Sequence, residues 1–115
     1  MISEKPLKLI SHLTETFANS KKVGFLKLYE NGWINDHYQE YIFVLTNSGL
    51  VYFDNTGVFN CKGFIPILGA RISGNLVDKR LDHRFVVLIS FDRARVFYKI
   101  AGHSYLDIEE WSNAI

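Results

Sequence analysis

The spacing of apolar residues along this chain changes period twice. Over residues 3–18, Leu7, Ile10, Leu13 and Phe17 recur every three or four positions, the spacing of one face of a helix. Ser3 is a suitable N-cap for it. Pro6 is tolerated in a first turn, whose N–H groups have no partner inside the helix. From residue 22 the helical spacing stops. Residues 22–29 alternate and carry Phe25, Leu26 and Tyr29, which predicts a first strand. A polar loop over 30–36 follows, punctuated by Asn31-Gly32. Strands are predicted over 40–46 and 50–53 around the turn Asn47-Ser48-Gly49, which makes an antiparallel meander. After a turn at 54–57 a fourth strand is predicted over 62–67. Pro66 has no N–H for a ladder, so that strand must place it at an edge, an end or a bulge. A short fifth strand over 70–73, a polar loop over 74–83 and a last hairpin of 84–90 and 94–101 around Asp92-Arg93 complete the set.

The period then becomes helical again. Ser104 stands three residues before Asp107, the spacing of a capping box, and Ile108, Trp111 and Ile115 share one face of the helix that follows. A β domain closed by one terminal helix with a Trp on its apolar face needs something for that Trp to plug. The open end of a small barrel is the natural candidate. The expected organisation is a helical extension over 1–21 and a mainly β domain over 22–115, without internal repeats or low-complexity stretches.

Composition adds limits to this picture. A length of 115 residues is enough for one core. The net charge of +1 supplies no global field toward nucleic acid or membrane, so any anion binding must come from a local patch. The single cysteine, Cys61, excludes an internal disulfide and fits a reducing, cytoplasmic compartment; in a strand-rich region it reads as a small core or edge residue. No apolar run reaches the length of a membrane span, and neither a signal peptide nor an N-myristoylation motif is present. The abrupt end after Ile115 suggests a domain cut from a longer protein. His12, His37, His83 and His103 show no metal-ligand spacing, so no metal and no cofactor is expected. No nucleophile elbow, phosphate-cradling glycine loop or paired carboxylates point to an enzyme.

The ordered set of strands resembles the pleckstrin homology (PH) domain family. Gly24-Phe25-Leu26 resembles its opening strand. Tyr41-Ile42-Phe43-Val44-Leu45 and Leu50-Val51-Tyr52-Phe53 resemble the second and third, and Gly63-Phe64-Ile65-Pro66-Ile67 the fourth. Phe85-Val86-Val87-Leu88 and Arg95-Val96-Phe97-Tyr98 resemble the last hairpin, and Trp111 followed by Ala114-Ile115 the closing helix with its characteristic Trp. The resemblance covers residues 22–115. It implies a seven-stranded, strongly bent β-sandwich or partly open barrel capped by one α-helix.

The family's best-known activity is binding of phosphoinositide headgroups. Its usual motif is a Lys late in the first strand and a basic-x-Arg at the start of the second, since several phosphates need several charge-assisted bonds from one rigid hairpin. Here the Lys position aligns with Leu28, the two basic positions with Gln39 and Tyr41, and Glu40 lies between them. The usual site is therefore not carried over to this chain. Some members bind anionic lipid on the other side of the first loop, between it and the loop joining the fifth and sixth strands. There the resemblance assigns Lys27, Trp33, Lys79, Arg80 and Arg84 as lipid-binding residues. Alternation turns Lys27 away from the face of Leu28, and an indole at Trp33 can enter a membrane interface with its N–H hydrated. Each has a plainer alternative. Trp33 can fold back over the sheet, Lys27 can blunt an edge, and Asp78 and Asp82 can neutralise Lys79 and Arg80 locally. Arg93 and Arg95 fall on the usual-site side. The expected function is a cytoplasmic, peripheral membrane-targeting module for anionic phospholipids, phosphoinositide or phosphatidic acid, with no nucleic-acid role. The alternative is a protein-interaction or autoinhibitory module whose partner is another protein or a neighbouring domain. The N-terminal helix reads either as packed on the domain's flank, as leading in from an upstream domain, or as lying on a membrane surface.

Overall fold

A computed structural model of the chain describes residues 20–32, 35–54, 60–91 and 94–115, with the backbone alone at 94 and 95. In these residues the alternating segments form β1 (Lys22–Glu30), β2 (His37–Leu45), β3 (Gly49–Phe53), β4 (Cys61–Pro66), β5 (Arg71–Asp78), β6 (His83–Phe91) and β7 (Ala94–Ala101), closed by α1 (Tyr105–Ala114). All pairings are antiparallel, in the spatial order β4-β3-β2-β1-β7-β6-β5. β1 pairs with β2 along its whole length but with β7 only at Lys27 and Leu28. At that short seam the sheet bends and brings its two halves face to face. Leu26, Phe43, Leu45, Leu50 and Ile65 from one half meet Val87, Ile89 and Ile100 from the other, with Ile108 and Trp111 of α1 completing the core. This is the bent, seven-stranded, helix-capped sheet that the resemblance to PH domains implies.

The helix start is built as its spacing implies. Ser104 has an extended backbone and its Oγ accepts from the Asp107 N–H at 3.1 Å. The reciprocal carboxylate bond goes one residue further back than in a standard capping box: Asp107 Oδ2 accepts from the His103 N–H at 3.0 Å. Pro66 ends β4, which is an edge strand, and Cys61 opens the same strand with its side chain exposed. β1 lies between two neighbours, so Lys27 does not guard an edge.

One prediction needs correction. β5 runs on to Asp78, so most of the polar stretch read as a loop is strand and the connection to β6 covers only 79–82. Two register shifts, between Ser73 and Leu76 and between Leu76 and Asp78, interrupt the alternation, and Asn75 takes a left-handed φ of 54°. A bulged strand loses its period of two, and Gly74-Asn75 then looks like a turn. The expected N-terminal helix lies outside the described residues.

Candidate functional site

The connections β1–β2 and β5–β6 emerge at the same end of the bent sheet, where tyrosines and carboxylates tie them together. Tyr29 on β1 and Tyr38 on β2 are opposite in register, with their rings edge to face at 5.8 Å. The Tyr38 hydroxyl donates to Asp78 Oδ2 at 2.9 Å, and its ring stacks on His83 at 4.2 Å. The same Asp78 oxygen accepts from Lys99 Nζ at 2.9 Å, and Oδ1 accepts from the Leu81 N–H at 3.4 Å. Lys99 in turn lies 4.1 Å from the centre of the Tyr29 ring. The Tyr29 hydroxyl is 2.8 Å from Asp36 Oδ2 and 3.0 Å from Asn31 Oδ1. Its single proton serves one of them at a time.

These bonds set the local charge. The Lys99 ammonium, then the Tyr38 hydroxyl, hold the Asp78 carboxyl below its ordinary pKa against the opposing effect of burial. Burial, then the bond to Asp78, raises the Tyr38 hydroxyl well above the usual phenol range. Asp78 therefore stays ionised and takes up the charge of Lys99. Arg80 is held differently. Its Nη2 donates to Asp36 Oδ2 at 3.1 Å from a side chain that is 77% exposed. An ion pair this open to water contributes about 0.2–1 kcal/mol and is easily exchanged for another anion.

The residues singled out from sequence fall as follows. Lys79 and Arg80 sit together on the 79–82 turn, and Arg84 is near the start of β6, all three exposed. Lys27 is on the outer face of β1, since Leu26 and Leu28 on either side of it are buried in the core. It stands opposite Glu40, whose Oε2 lies 3.3 Å from Nε2 of His103. Asp78 does not neutralise Lys79 or Arg80 as its place in the chain suggests. It is committed to Lys99 and Tyr38, while Asp36 from the other loop takes Arg80. Trp33 and Arg93 lie outside the described residues, as does the side chain of Arg95. Beside the turn, an open cleft of about 310 Å³ is lined by Leu76, Val77, Asp78, Lys79, Val86, Leu88 and Lys99. Lys99 is the residue that sequence reasoning missed. Its only sequence signal is a second charge, after Arg95, within an otherwise uncharged last strand.

A second depression, of about 410 Å³, opens on the other side of the first loop. Its described lining is Leu28, Tyr29, Glu30, Asn31, Tyr52, Val96, Phe97 and Tyr98, with no Lys or Arg among them. Glu30 accepts from the Tyr41 hydroxyl at 2.7 Å and lies 3.4 Å from His37 Nε2. Burial, and after it this bond to Glu30, raises the Tyr41 hydroxyl. A carboxylate among aromatic rings is a poor setting for phosphate groups.

No family model matches the chain, and no curated protein matches it in sequence. Solved structures do. The C-terminal PH domain of pleckstrin, in complex with D-myo-Ins(1,2,3,5,6)P5, is 20% identical, with 83% of this chain and 90% of that chain covered at a TM-score of 0.66. The Slm1 PH domain in complex with phosphoserine is 17% identical, with 84% and 91% covered at 0.61. Autoinhibited Vav1 is 13% identical, with 98% of this chain and 22% of that chain covered at 0.61. The fold of this chain is the PH fold.

Proposed function

We propose that this PH-fold domain is a binding module that docks onto anionic phospholipid surfaces through Lys79, Arg80, Arg84 and Lys27, with Trp33 entering the membrane interface. The observation that carries this reading is the exposed basic turn beside the open cleft, where the Arg80–Asp36 pair found among the described residues is weak. The complexes of pleckstrin with an inositol pentakisphosphate and of Slm1 with phosphoserine support anionic headgroup chemistry on this fold. On the other side of the first loop the described lining sets Glu30 among aromatic and aliphatic side chains and supplies no cation for a headgroup. Phosphoinositides and phosphatidic acid both fit the site's chemistry. Each Lys or Arg near an anionic leaflet contributes about 1 kcal/mol, so docking is of modest strength. Useful targeting then requires a second membrane contact or dimerisation. No helix among the described residues is long and apolar enough to cross a membrane, and the reading places the protein peripherally on the cytoplasmic leaflet.

A second reading is favoured by the same acidic, aromatic depression and by the likeness to autoinhibited Vav1. It makes the domain a protein-interaction or autoinhibitory module with no lipid role. Liposome co-sedimentation at near-physiological salt separates the two. Neutral vesicles are compared with vesicles carrying phosphatidic acid or single phosphoinositides, for the native protein and for Lys79→Glu/Arg80→Glu. Docking at the basic turn requires an anionic lipid, weakens steeply with added salt and is lost in the double variant. Binding to none of the vesicles makes the protein-interaction reading the leading one.

A further inference from the structure

The cleft beside the basic turn has aliphatic walls that headgroup docking leaves unused. Val87 and Ile89 of β6 point into the core. Alternation therefore turns Val86 and Leu88 to the opposite face. β5 brings Leu76 to that face only through a bulge. Ser73 pairs with Leu88 and Leu76 with Val86, so β5 advances three residues where β6 advances two. Strict alternation from Ser73 would turn Leu76 toward the core. The extra residue, beside the left-handed Asn75, sets it next to Val86 instead. Leu76 and Val77 are then 39% and 58% exposed on an edge strand, while Val86 beneath them is 1% exposed. Edge strands are ordinarily guarded by charge, and a bulge that turns a leucine outward does the reverse. Two of the charges in the cleft offset each other: Lys99 pairs with Asp78 at 2.9 Å and lies over the Tyr29 ring. What remains is a cleft of about 310 Å³ walled by Leu76, Val77, Val86 and Leu88, with Lys79 lining it where β5 ends.

We propose that this cleft takes a segment of the acyl chain of a glycerophospholipid whose phosphate lies at Lys79 and Arg80. The inference rests on the anionic-lipid reading above and adds that the ligand is the chain-bearing lipid, not the headgroup alone. The site and this ligand are complementary along their length. Exposed cations stand at one end of the cleft and aliphatic side chains form its walls, as a phosphate stands at one end of a lipid and methylenes follow it. A soluble headgroup supplies the charge but leaves Leu76 and Val77 in water. Withdrawing about two CH2 groups from water strengthens binding roughly tenfold, so even a short segment of chain outweighs the weak pull of the exposed bases. The consequence is functional. A domain that grips the chain discriminates membrane lipid from free phosphate of the same charge.

The test titrates the methyl-labelled full chain with two soluble probes that carry the same phosphate: dihexanoyl phosphatidic acid below its micelle concentration, and glycerol 3-phosphate. The chain-bearing probe is expected to bind at least tenfold more tightly and to give NOEs from its chain to the methyl groups of Leu76, Val86 and Leu88. Leu76→Gln/Val77→Thr, two changes at exposed positions, should remove that advantage and leave glycerol 3-phosphate binding as it was. Lys79→Glu/Arg80→Glu should weaken both probes. Equal affinity of the two probes at the basic turn overturns the chain site and leaves the headgroup reading standing. Chain NOEs to another surface, or binding of neither probe, also overturn the chain site. If anionic vesicles fail to bind as well, the headgroup reading falls with it. The NOEs of the native chain decide the matter even where a variant fails to fold.

Discussion

Arg80 and Asp36 are 44 residues apart in sequence and meet at 3.1 Å, joining the β5–β6 turn to the first loop. An exposed base of the proposed headgroup site is thus partly neutralised by the protein itself. A docking anion must compete with Asp36 for it.

Asp36→Asn removes that competitor and one negative charge. At about 1 kcal/mol per charge near an anionic leaflet, partitioning onto phosphatidic acid or phosphoinositide vesicles should rise roughly fivefold. The same co-sedimentation assay reads it. Unchanged or weaker binding would place the headgroup away from this turn.

Asp78 makes stability depend on acid. Its native pKa lies below the ordinary carboxylate value because the folded state favours its charged form. Its contribution is therefore complete above the unfolded pKa and is lost as pH falls through the lowered native one. Asp78→Asn leaves the Lys99 ammonium without its carboxylate partner and should cost about 1–3 kcal/mol near neutral pH. Thermal unfolding scanned from about pH 6 down to about pH 2 should show a shallower fall for this variant than for the native protein.

The closing helix depends on a missing side chain. A Cβ at residue 24 would stand 3.3 Å from Cζ2 of Trp111, so Gly24 lets the indole lie directly on β1. Trp111, only 1% exposed, should cost about 3–5 kcal/mol when replaced by Ala. Gly24→Val should destabilise in the same direction by about 1–3 kcal/mol through overpacking. Urea denaturation tests both, and a lower midpoint at unchanged slope is the expected result.

Ser112 behaves in the opposite way. Its hydroxyl is buried with no hydrogen-bond partner among the described residues, close to where α1 passes Gly74 of β5. Ser112→Ala removes an unsatisfied polar group with little change in volume. It should leave stability unchanged or raise it by up to about 1 kcal/mol, measured by the same denaturation.

The strand set, the Ser104 cap and the place of Pro66 were all legible in the chain. Each follows from local chemistry: side chains alternate along a strand, a cap lies three residues from the group it serves, and Pro lacks an N–H. The extent of β5 was not legible, because its bulges erase the period on which the reading depends. Nor were the partners of the charges. Asp78 looks like a neighbour for Lys79 or Arg80 in the linear sequence, but the fold gives it to Lys99 and Tyr38. Asp36 takes Arg80 only because the two loops end at the same side of the sheet. The sequence by itself determined which residues alternate, turn and cap. The tertiary structure decided which charges meet, since that depends on how β1 and β7 close the bend and so on which distant strands become neighbours.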